Sequence, residues 1–231
     1  MATVPWVTLL ALMVGSTMGL RLSMPRHCRH VRTAATARNS VCPSARMTLT
    51  FEQAVGEAPE LCKKLEQGED AGEELGAFLK SSAGARGFFV HWLTGDDYLK
   101  ADKAEPPLAL VSALDGCEEE VSDVMVMNVV MSAATAIAHR RAGNMEQAQN
   151  SERTSLRARL LLQAMMPRVP AIHVALTALA AALSEEEDKP NGVDASAEDA
   201  WLAFLQRWRY DEEQLVAISE VLDTCRANPA T

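Results

Sequence analysis

The apolar run from Val121 to Ala138 constrains this chain more than any other stretch, because only Ser122, Asp123, Asn128, Ser132 and Thr135 interrupt it. A helix with so little polar surface must be covered by its neighbours. Three glutamates, Glu118 to Glu120, precede the run and suit the positive end of a helix dipole. His139-Arg140-Arg141 close it with the charge type that belongs in a last turn. Gly143-Asn144 then supplies a turn, and a second helix is expected from Met145 to Met166. Residues 118–166 therefore read as a helical hairpin whose first arm is nearly all apolar. The runs Val124–Ala138 and Val169–Leu183 are 15 residues each. At 1.5 Å per residue each spans about 22 Å, short of a hydrocarbon core of about 30 Å, so both read as core helices.

The rest of the body, taken as residues 47–228, also reads as helix. Thr50 can cap a helix starting at Phe51, with Gln53 placed for a capping box and Gly68 as the stop. Pro59 lies inside that pattern and predicts a kink or a restart. A short helix follows from Ala71 to Lys80. Phe88 to Leu93 is short and aromatic enough for a buried strand, but no second strand exists to pair with it. A helix capped by Ser81 or Ser82 and stopped at Gly95 is the better reading, with its aromatics in the core. Pro106-Pro107 open a helix over Leu108–Leu114, closed by Gly116. Pro167 and Pro170 break the chain before an apolar helix over Ala171–Leu183. Ser184–Ala197 is acidic and carries Pro190-Asn191-Gly192, an exposed loop. Ser196 is expected to cap a helix over Ala197–Arg209, and a last helix runs over Glu212–Cys225. The predicted fold is all-α, one bundle-like domain of about seven to nine helices behind a disordered targeting leader.

The overall charge of −9 hides an asymmetry. Residues 1–46 hold six arginines (21, 26, 29, 32, 38, 46) and no acid, which leaves −15 on residues 47–231. An acidic body lacks the basic footprint of a nucleic-acid binder. Residues 1–20 have an apolar core, Val4–Val14, and small residues after it, as in a secretory signal peptide. Residues 21–46 are rich in Arg, Ser, Thr and Ala, as in an organelle transit peptide. Together they resemble the two-part leader of plastid proteins in algae with secondary plastids, although the Ala-Phe cleavage motif is absent at Met18-Gly19-Leu20-Arg21. The expected destination is the plastid stroma, and the alternative is a secreted protein. Cys62, Cys117 and Cys225 form no metal or disulfide pattern and read as buried thiols.

No metal-binding histidine pair, P-loop, dinucleotide fingerprint or nucleophile elbow occurs, so no catalytic residue, metal or cofactor is assigned. Gly84-Ala-Arg-Gly87 resembles a phosphate loop only loosely; its glycines read as turn or helix-start residues. Two features stand above background. Asn128, Ser132, Thr135 and His139 lie on one narrow helical face and could bond across a helix interface or to a ligand. Arg140, Arg141, Arg153, Arg157, Arg159 and Arg168 face only Glu146 and Glu152 within residues 139–168. Their partners must be acidic segments elsewhere in the chain, the plainer reading, or an external anion or acidic protein.

Two segments, Gly84–Thr94 (GARGFFVHWLT) and Val129–Thr154 (VVMSAATAIAHRRAGNMEQAQNSERT), resemble an uncharacterised family of cyanobacteria and plastids. The resemblance implies a plastid setting and no particular activity. The functional expectation is a non-enzymatic helical protein of the plastid that binds an acidic protein or a complex. A small-molecule or pigment binder using the Asn128–His139 line and an enzyme of unrecognised chemistry are the alternatives.

Overall fold

The computed structural model describes residues 49–184, 190 and 192–227. The expectations for residues 1–46 and for residues 185–189 and 191 of the acidic stretch fall outside them. The described residues form nine α-helices, one 3-10 turn and no strand. The helices are α1 (Phe51–Gln67), α2 (Gly72–Leu79), α3 (Ser82–Thr94), α4 (Leu108–Asp115), α5 (Glu118–Arg141), α6 (Met145–Met165), α7 (Pro170–Leu183), α8 (Ala195–Trp208) and α9 (Glu212–Ala227). The 3-10 turn, Leu99–Asp102, lies between α3 and α4.

Helices α5 and α6 form the expected hairpin and pack along their length. Gly143 takes the left-handed conformation (φ 74°) that the tight connection requires. Around this hairpin, α1 packs on α3, α2 on α4, α7 on α8, and α9 on α5. One continuous core runs from Leu61 to Cys225, with Phe88, Phe89 and Trp92 fully buried in it. The residues from Phe88 to Leu93 are helical, and Phe88 stacks on Trp92 at 6.0 Å. Cys62, Cys117 and Cys225 are buried free thiols, as expected.

Three expectations need correction. Pro59 does not restart α1, which runs as one helix through it. Its missing N–H would leave the Val55 carbonyl four residues back without a helical partner. Nε2 of His91, on α3, donates to that carbonyl at 2.9 Å. The second correction is a cap. Asp194, not Ser196, caps α8, accepting from the Ser196 amide at 2.8 Å. Both residue types cap well, and they stand two positions apart. The third concerns length. α5 runs 24 residues, about 36 Å, so a shortfall in length does not exclude a membrane span. Its stretch Glu120–Arg141 is long and apolar enough to cross a bilayer, and 67% of the apolar window within it is buried inside the fold.

The His91 contact makes a direct prediction. His91→Ala should destabilise by about 1–2 kcal/mol by leaving the Val55 carbonyl unsatisfied. In a Pro59→Ala background the backbone amide restored at position 59 can take that carbonyl, so the loss should shrink by more than half. Denaturant midpoints of the two single variants and the double variant measure this; strictly additive losses would remove His91 from the role.

Candidate functional site

Three of the arginines on α5 and α6, Arg141, Arg153 and Arg157, find their partners far away in the chain. Arg141 pairs with Asp211 and Glu213 at the start of α9, donating to Asp211 Oδ1 at 3.0 Å. Asp211 also forms a reciprocal cap with Gln214, each backbone amide donating to the other's side chain at 3.1 Å. Arg140 pairs with Glu152 across the hairpin. Arg153 reaches Asp96 at 2.8 Å and Asp102 at 3.0 Å. Arg157 is 1% exposed and lies under the connection that follows α3. Its Nε and Nη2 grip Asp102 side-on at 2.6 and 3.0 Å. Its remaining donors go to the carbonyls of Leu93, Gly95 and Tyr98. All five N–H groups of the guanidinium are thereby used.

This cluster therefore ties the chain together. The C-terminal carbonyls of α3 are capped by Arg157, and that of Leu65 in α1 by Lys100 Nζ at 3.0 Å. Hydrogen bonding by Arg157 holds the Asp102 carboxyl far below the ordinary carboxylate range, with Arg153 adding to the effect. Arg159 is half-buried and Arg168 exposed, and neither has an ion-pair partner among the described residues.

The polar line on α5 is half folded back on its own helix. Asn128 Nδ2 donates to the Val124 carbonyl at 2.7 Å, and the buried Ser132 hydroxyl to Val129 at 3.1 Å. Thr135 and His139 are half-buried, and burial lowers the pKa of His139. None of the four lines the grooves described here. His91 serves α1, and His173 is exposed. Among the described residues no three His, Cys, Asp or Glu side chains gather as a metal site would need. Gly84 and Gly87 sit inside α3, where they give the backbone room.

An open groove of about 740 Å³ between the end of α7, α8 and α9 was not anticipated. Its walls include Leu183, Leu202, Leu205, Leu215 and Val216, with Gln206, Arg209, Tyr210, Glu212 and Ser219 as the polar members. Val216 is 52% exposed. Apolar walls with a few polar groups at the margin are the usual make-up of a binding cleft. The sequence signal was present but weak: Val216 follows Leu215, so both cannot point into the core. A second groove of about 560 Å³, between α2 and α4, has a floor of glycine and alanine with Asp70 and Glu73 at its edge.

The fold and this groove define an all-α protein with a single helical core and an apolar cleft on one side. The uncharacterised conserved protein family UCP020893 matches residues 50–225, from the N-cap of α1 to the last buried residue of α9, and the chain belongs to that family. No curated protein and no solved structure matches the chain.

Proposed function

We propose that this protein is a plastid helical protein that acts by binding, holding a segment of a partner protein in the cleft between α7, α8 and α9 in an accessory or assembly role. The observation that carries the reading is the cleft itself. Leu202, Leu215 and Val216 remain partly in water there, and covering apolar surface gains about 25 cal/mol per Å². A groove between helices suits the apolar face of an amphipathic helix. The plastid setting is supported by the two-part leader composition of residues 1–20 and 21–46 and by the resemblance of Gly84–Thr94 and Val129–Thr154 to proteins of cyanobacteria and plastids. Three buried unpaired thiols suit a reducing compartment better than a secretory one.

A photo-crosslinking residue at position 216 tests the binding reading. Irradiation in plastid extract should give one dominant adduct, which Leu202→Asp abolishes and a crosslinker at Val174, exposed on α7 outside the groove, does not form. Equal adducts from both positions would contradict it. For the compartment, the native protein should begin near Thr48; a native chain that retains residues 1–20 would contradict plastid import.

A further inference from the structure

The end of the groove at the α8–α9 turn is lined by two consecutive hydrogen-bond donors, Arg209 and Tyr210, and Trp208 just before them is not part of the lining. Among the described residues the Trp208 indole N–H is buried without an acceptor. Neither the Arg209 guanidinium nor the Tyr210 hydroxyl has a partner there either. Arg209 and Tyr210 line the groove. Burial raises the Tyr210 pKa, so its hydroxyl keeps its proton and stays a donor.

The backbone at Arg209 is unusual as well. It ends α8 in the left-handed conformation (φ 50°), and it is the one non-glycine with positive φ among the described residues. Glycine fills such a cap without strain, so arginine here keeps a cation at the groove at a conformational cost. The one carboxylate on the wall, Glu212, lies in the first turn of α9, where the helix N-terminus favours it.

We infer that this end of the groove recognises an acidic side chain on the partner's apolar segment, with Arg209 and Tyr210 as the contacts. The inference rests on the binding reading above. It puts recognition of an acidic partner at the α8–α9 turn, away from Arg140, Arg141, Arg153 and Arg157, which already hold internal carboxylates.

Two fluorescent dyes test it on the folded chain. Anilinonaphthalene sulfonate is apolar and anionic; Nile red is apolar and neutral. Both should bind, and Val216→Asp should weaken both. Arg209→Gln should weaken the sulfonate dye about tenfold and leave Nile red unchanged, as loss of one charge-assisted contact predicts. Equal affinity of the sulfonate dye for the wild type and Arg209→Gln would overturn acid recognition and leave the groove reading standing. Failure of both dyes to bind, or indifference of both to Val216→Asp, would overturn the groove reading and this inference with it.

Discussion

Arg157→Met is expected to cost about 3–5 kcal/mol, the range for removing one partner of a buried ion pair. The methionine would fill much of the space but would leave Asp102 without its main counterion. It would also leave the carbonyls of Leu93, Gly95 and Tyr98 without donors. At about 2–4 °C per kcal/mol for a chain of this size, the melting temperature should fall by roughly 10 °C. Arg157→Lys should recover little, because three donors on a flexible stem cannot reproduce a planar fork. The same pair predicts a pH dependence. The carboxyl of Asp102 titrates lower in the folded chain than in the unfolded one. Its contribution is therefore complete above the unfolded value, about 4, and is lost as the pH falls below that. Asp102→Asn should flatten this acid limb of the stability curve. An Arg157→Met protein that melts with the wild type would remove the clamp from the account.

Gly84→Ala should also be strongly destabilising, by about 3 kcal/mol, the upper part of the usual range for overpacking. A Cβ at position 84 would lie 2.0 Å from the backbone carbonyl oxygen of Phe78, at the end of α2. Backbone cannot swing aside as a side chain can, so α2 and α3 would have to separate. Position 56 provides the control. Gly56 lies in the exposed interior of α1, and a Cβ there meets nothing within 4 Å. Gly56→Ala should stabilise by about 0.8–1 kcal/mol through helix propensity alone. Opposite signs at two helical glycines are the expected result in thermal melts; equal signs would contradict the packing of α2 against α3.

The local features were legible from sequence because their causes are local. Thr50 and Gln53 form their capping box, Ser81 caps α3, and Gly68 ends α1 in the left-handed conformation. The apolar run of α5 announced a covered helix, and it is covered. Features whose cause lies far along the chain were not legible. Pro59 is tolerated because the carbonyl it strands, that of Val55, is taken by a histidine 36 residues further on. The carboxylate partner of Arg157 is 55 residues away. Charge counting did show that the α5–α6 arginines needed partners from elsewhere, but only folding could say which. The cleft was hidden for another reason. Leu215 reads as a core position of the last helix, Leu202 and Val216 stand beside core positions without being among them, and spacing alone does not say that the three meet at an open margin.

The central claim is that the α7–α9 cleft holds a partner, and the size of the protein in its native setting tests it most directly. Wild-type chain and a Leu202→Asp/Val216→Asp variant, each expressed with its leader in plastid-bearing cells, would be separated by native size from stromal extracts. The wild type should elute in an assembly larger than the chain alone and the variant as the free chain. Identical elution of the two would contradict the claim.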